Sequence, residues 1–148
     1  MTTRAIRSFL SRSRSESGVA AIELAIVLPL LMLILFGIIS FGTVFYNYIV
    51  ITNAAREGAR WGAINSEVTT GDACTGTTNP CTVADSYANG LLINYGGGTS
   101  VTTTATVDAP DSTPIITVIV EFDFQGIGFF KTLFADGISA RSSMYLEP

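Results

Sequence analysis

Two patterns divide the chain: one long apolar run in its first half, and apolar–polar alternation in its second. From Leu24 to Ala55 there are 32 consecutive residues without Lys, Arg, Asp or Glu. A hydrocarbon core takes about 20 helical residues. Leu24 to about Phe45 supplies them, with Tyr46 and Tyr48 where an aromatic belt is expected. The pattern therefore predicts a transmembrane helix over residues 19–47. Pro29 falls one to two turns into it, where it removes an amide and disturbs the preceding turn. Membrane helices tolerate this as a modest kink, or use it as a weak point for repacking; the sequence leaves both open. Beyond Tyr48 the helical pattern continues and should end near Asn65. Small residues recur every four positions, as Ala54, Gly58, Gly62 and as Ala55, Ala59, Ala63. Rows at that spacing lie along one face and let another backbone approach closely. Packing within the chain is the favoured reading, with a neighbouring helix as the alternative.

Residues 65–82, with their Thr, Gly, Asn and Asp, read as a loop. A short helix is expected from a Thr82 cap to about Asn94. It would turn Ala84, Tyr87, Ala88, Leu91 and Leu92 inward and stop at Gly96, Gly97 and Gly98. Three strands follow. Val101–Val107 is β-branched and half polar. Ile115–Phe124 is the strongest, with Ile116, Val118, Val120, Phe122 and Phe124 on one face. Ile138–Leu146 is the third. Residues 109–114 punctuate the first two, and 126–134 read as an apolar turn or short helix. The fold class is thus α+β: a long N-terminal transmembrane helix extends into a small exported domain (48–148, including the helix to about 65) with an antiparallel sheet.

Charge orients this arrangement. The chain has 148 residues and a net charge of −4. Arg4, Arg7, Arg12 and Arg14 against Glu16 give residues 1–18 a charge of +3, leaving −7 for the rest. A basic head before an apolar run places the N-terminus in the cytoplasm and the later residues outside. A basic head and an acidic body argue against nucleic acid as a partner. The run is too long for the roughly 7–15-residue apolar region of a cleaved secretory signal, whereas a plain uncleaved anchor fits. Arg56 and Arg60 share a helix face, and Glu57 can reach Arg60 three positions on. Cys74 and Cys81 would close a small loop in an oxidising compartment and stay free thiols in a reducing one.

Little in the chain points to catalysis. The sequence has no histidine, hence no imidazole for a triad or metal site. It lacks the strand–glycine–helix pattern of a phosphate loop and the spacing of a calcium loop. Asp72, Asp108 and Asp111 fall in loops, the default place for solvated turn residues, and Asp85 falls at the expected helix start. No enzymatic activity, cofactor or metal is expected.

The most telling junction is Ser15-Glu16-Ser17-Gly18-Val19-Ala20-Ala21-Ile22-Glu23-Leu24. A lone carboxylate at the lip of a membrane segment is costly and seldom idle. Gly18 through Pro29 and Leu31, followed by Ala54-Ala55-Arg56-Glu57-Gly58-Ala59-Arg60, resembles the TadE-like family, pseudopilins of bacterial tight-adherence (Tad/Flp) pili. The resemblance covers about residues 15–63. It implies that residues 1–18 are a basic leader, cut between Gly18 and Val19 by a prepilin peptidase of the inner membrane. Glu23 becomes the fifth residue of the mature chain and an assembly residue, able to neutralise the Val19 amine of another subunit. The implied partners are the membrane, that peptidase, other pilin or pseudopilin subunits and inner-membrane assembly proteins. The implied location is a single-pass position in the inner membrane, with entry into a pilus as an option. Leu24, where major pilins of this kind usually carry tyrosine, and the longer chain favour a minor pseudopilin. The competing reading is an uncleaved, membrane-anchored outer binding domain.

Overall fold

The computed structural model describes residues 4–65, with side chains from 18 onward, together with 70–95, 100–109, 113–126 and 137–146. The expected loop residues 66–69, the glycine stop at 96–98, residues 110–112 of the 109–114 turn and most of the 126–134 segment lie outside these. Helix α1 spans Arg4–Asn65 and ends where the sequence pattern does. It runs unbroken through Pro29. The chain divides into two compact units, Met1–Ile39 and Ser40–Pro148, described in turn.

The first unit contains the beginning of α1. Of its described side chains, from Val19 to Ile39, the large apolar ones are exposed. An α-helix apolar on all sides has no polar face to offer water and belongs in lipid or in a core. From Gly18 to Asn65, α1 is the one described helix long and apolar enough to cross a membrane.

In the second unit the same helix acquires a buried stripe. Ser40, Thr43, Asn47, Val50, Ile51, Ala54, Ala55, Gly58, Ala59, Gly62 and Ala63 are buried, at spacings of three and four. Phe41, Phe45, Tyr48, Ile49, Arg56 and Arg60 remain exposed. The stripe packs on a four-stranded antiparallel sheet whose strands lie in sequence order: β1 (Gly71–Asp72), β2 (Val101–Asp108), β3 (Ile115–Phe122) and β4 (Ile138–Tyr145). Val118 pairs with Ala105 and Ser142, and Ile116 with Val107 and Met144. With a side-chain period of two, this register keeps Ala105, Val107, Ile116, Val118, Val120 and Phe122 on one buried face. The expected inward row of the strongest strand, including Phe124 just past its end, is buried.

The small-residue rows serve this packing within the chain. A Cβ built on Gly58 would lie 2.7 Å from the Pro80 carbonyl oxygen, and one on Gly62 would run into Ile116 Cδ1. Glycine is what lets α1 approach both the second helix and β3.

Three local expectations change. Helix α2 covers Pro80–Ala88 and its N-cap is Asn79, not Thr82. The Asn79 side chain accepts from the Thr82 amide at 2.9 Å, while Thr82 Oγ1 accepts from the Asn79 amide at 3.0 Å. Proline occupies the first helical position, where its missing amide costs nothing. The helix also stops at Ala88 rather than near Asn94. Gly90 has φ +82°, a left-handed conformation that glycine tolerates and that ends the helix. Leu91 is consequently exposed at 45% instead of turned inward, and Leu92 is half-buried against the core; Tyr87, still within the helix, lies on its outer face at 42% exposure rather than inward. The third change is β1, two exposed residues pairing with Val107 and Thr106 inside the expected loop.

A polar clasp joins the helix to the segment after α2. Asn47 is fully buried; its Nδ2 donates to the Ile93 carbonyl at 2.7 Å and its Oδ1 accepts from the Ile93 amide at 3.0 Å. One turn earlier, the Thr43 and Tyr95 hydroxyls lie 2.9 Å apart. Asn47→Ala would leave the part-buried Ile93 amide and carbonyl without this partner, a loss of about 2 kcal/mol. Denaturant unfolding of the detergent-solubilised chain, followed by fluorescence of its single tryptophan, Trp61, should show a midpoint shift of that size.

Candidate processing and assembly segment

Gly18, Val19, Glu23 and Pro29 all lie on the apolar part of α1, in the first unit. A Cβ built on Gly18 meets nothing within 4 Å, and no left-handed φ is present there. Among the described residues, glycine at this position answers to no packing need, in contrast to Gly58 and Gly62. Val19 is 66% exposed. Glu23 is exposed beside Ala20, Leu24 and Val27 in an open, mostly apolar hollow. No hydrogen bond or ion pair joins its carboxylate to the described residues.

The second motif splits between two faces in the second unit. Ala55, Gly58 and Ala59 point into the core, and Arg56 and Arg60 point to solvent. Arg60 Nη2 lies 2.8 Å from Glu57 Oε1, and its Nε donates to Oε2 at 3.2 Å. This is the pair the spacing predicts. The hydrogen bond from Arg60, and then its charge, hold the Glu57 carboxyl below the usual range, while Glu57 pushes Arg60 up. Stabilisation from such a pair is present above the unfolded carboxylate range and is lost as pH falls through the lowered folded value. With side chains 65% and 39% exposed, water and salt screen it, so its weight is small.

Cys74 and Cys81 form a disulfide with Cα atoms 5.5 Å apart. It ties the segment after β1 to the first turn of α2. No cluster of three or more metal-ligating side chains occurs among the described residues. An open cleft of about 340 Å³ at one end of the sheet includes Thr102, Glu121, Asp123 and Ser139 in its lining. Both carboxylates there are exposed, and the arrangement supplies no nucleophile–base pair.

Sequence reasoning treated the apolar run as uniform and so missed Thr43 and Asn47 as domain contacts. The available signal was the spacing of its polar members: Ser40, Thr43 and Asn47 recur at three and four.

Taken together, these features define an α+β protein with one long apolar helix, consistent with a single-pass membrane anchor, that continues into a sheet-bearing domain holding a disulfide. Residues 18–60 match the family model described as TadE-like protein. The match takes in both the Gly18–Glu23 junction and the Ala54–Arg60 motif, and it is the family that those residues resemble. No curated protein matches the chain, and no solved structure does.

Proposed function

We propose that this chain is a structural component of a Tad/Flp-type pilus, and more narrowly a minor pseudopilin that supports pilus assembly and surface adhesion. The observation that carries the reading is the TadE-like match at residues 18–60, whose first residue is a glycine that no contact among the described residues requires. If packing does not demand Gly18, an outside agent that reads it is the natural explanation. In this reading a prepilin peptidase cuts between Gly18 and Val19, with the arginine head on the cytoplasmic side.

Cleavage creates an α-amino group at Val19, four residues before Glu23. A carboxylate and an ammonium are each expensive in lipid or in a helical bundle, and less so when paired. Exposure of Glu23, with no partner among the described residues, leaves it available to the Val19 amine of another subunit. Pro29, one to two turns on, gives the helix a local weak point for repacking.

Mass spectrometry of the native chain tests the reading. A mature terminus at Val19 is expected, and Gly18→Leu should leave the leader attached. Glu23→Ala should be cut normally yet reduce pilus formation severely. An intact N-terminal head on the native protein would favour the uncleaved, membrane-anchored binding domain. Normal piliation by stably expressed Glu23→Ala would remove the assembly role of Glu23.

A further inference from the structure

The segment after α2 presents three large apolar side chains to solvent outside any helix or strand. Leu91 is 45%, Ile93 43% and Tyr95 44% exposed. It is held in place rather than loose. The Ile93 backbone is bonded twice to Asn47, the Tyr95 hydroxyl to Thr43, and the Tyr95 amide donates to the Gln125 carbonyl at 3.4 Å.

Counting along the helix fixes the depth of these anchor points. Thr43 is the twentieth residue from Leu24, the first after the Glu23 carboxylate. At about 1.5 Å per residue, 20 residues span about 30 Å, the thickness of the hydrocarbon core. Thr43 therefore falls at the outer edge of the core. Asn47 is one turn further, within a headgroup zone roughly 5–8 Å deep on each side. Phe45, Tyr46, Tyr48 and Ile49 surround the helix at this level and are exposed too. A segment clasped to Thr43 and Asn47 shares that level.

We propose that the Leu91–Tyr95 segment is a second membrane contact, which seats the exported domain in the lipid interface of the outer face beside α1. The proposal rests on α1 spanning the membrane. Its chemistry suits a neutral interface. Leucine and isoleucine insert into the acyl boundary, and Tyr95 offers a ring to lipid and a hydroxyl to Thr43. No charged residue occurs between Asp85 and Asp108, so no ion has to be desolvated. Asp123, whose backbone carbonyl accepts from Asn94 at 3.2 Å, is exposed and can remain in headgroup water. With no basic residue in the segment, insertion does not depend on anionic lipid. Two contacts at one level, the helix and this segment, fix the tilt of the domain on the bilayer in a way a single helix cannot.

Site-directed spin labelling of the full chain tests this. Cys74 and Cys81 are the only cysteines and are joined, so an introduced thiol is the one free label site. Ile93→Cys, Leu91→Cys, Leu33→Cys and Thr106→Cys would each be labelled in nanodiscs carrying one chain. The discs are of phosphatidylcholine alone or with phosphatidylglycerol. The readout is the ratio of collision with oxygen to collision with a water-soluble nickel complex. Leu33→Cys should report the bilayer centre and Thr106→Cys, on the exposed face of β2, bulk water. The ratio at Ile93→Cys and Leu91→Cys should exceed that at Thr106→Cys several-fold, equally in both lipids and at high salt. Water-like values at both positions, with Leu33→Cys deep, would overturn the second contact and leave the span standing. Protection from both reagents would mean protein covers the segment, and dependence on phosphatidylglycerol would mean charge drives the contact; either also overturns it. A shallow Leu33→Cys would overturn the span and the proposal together.

Discussion

Phe122→Ala should lower the stability of the sheet-bearing domain by about 3–5 kcal/mol. Phe122 is 1% exposed at the end of β3, paired with Val101 on one side and Ile138 on the other. Its ring centroid lies 6.5 Å from that of Phe124, a tilted pair at 50°. Truncation removes a full aromatic side chain from water-free surroundings and leaves a cavity that three strands at fixed register cannot easily close. A loss of this size is a large fraction of what a small domain has in reserve. Denaturant unfolding in detergent follows the sheet-bearing domain, and half-buried Trp61 on α1 reports it. Tyr145→Ala is the internal comparison: at 70% exposure its effect should stay within about 0.5 kcal/mol. Equal effects of the two substitutions would show that the sheet face carrying Phe122 is not the core.

The elements that were legible in the sequence are those whose periodicity is sustained. Ile115–Phe124 alternates through ten residues, and only one sheet face can hold Ile116, Val118, Val120, Phe122 and Phe124. The apolar run and the fourfold repeat of small residues gave the helix and its end at Asn65. What was not legible depended on local hydrogen bonding or on contacts distant in sequence. Thr82 has the chemistry of a cap. It is Asn79 that takes the role, because proline at position 80 favours the helix start there and Thr82 is then placed to bond back to it. The two residues of β1 are too few to show a period, and only the β2 edge gives them a partner. Asn47 looked like a polar residue at the end of a membrane segment; its two bonds to Ile93, 46 positions away, can be seen only in the fold.

The candidate site divides in the same way. Gly18, Glu23 and the Ala54–Arg60 motif were legible as residues, but sequence does not tell which glycines are needed by the chain itself. Geometry separates them. Gly18 and Gly42 face open space, whereas Gly58 and Gly62 face atoms already closer than a side chain allows. The same residue type therefore has different causes within one matched segment: the second motif builds the head, and no contact among the described residues accounts for Gly18.

Gly58→Val tests that division and should cost about 2–3 kcal/mol. The first added carbon would sit 2.7 Å from the Pro80 carbonyl oxygen, 3.1 Å from Ala84 Cβ and 3.4 Å from Val118 Cγ1. The nearest of these is backbone, in the first turn of α2, which the Asn79 cap and the Cys74–Cys81 bond hold. It cannot rotate aside as a flexible side chain would, so α2 must lift from α1 and open the core between Ala55, Ala59 and Ala84. Gly58→Ala meets the same oxygen, but regains up to about 1 kcal/mol of helix propensity, so its net loss should be smaller. Gly42→Ala, with nothing within 4 Å, gains that propensity without a clash and should be neutral or slightly stabilising. The predicted order of Trp61-monitored midpoints is therefore Gly42→Ala highest, then Gly58→Ala, then Gly58→Val. A Gly58→Val chain as stable as the parent would mean that the small-residue row does not hold α1 against the head. The row would then have to be explained by a partner helix, the alternative its fourfold spacing also allows.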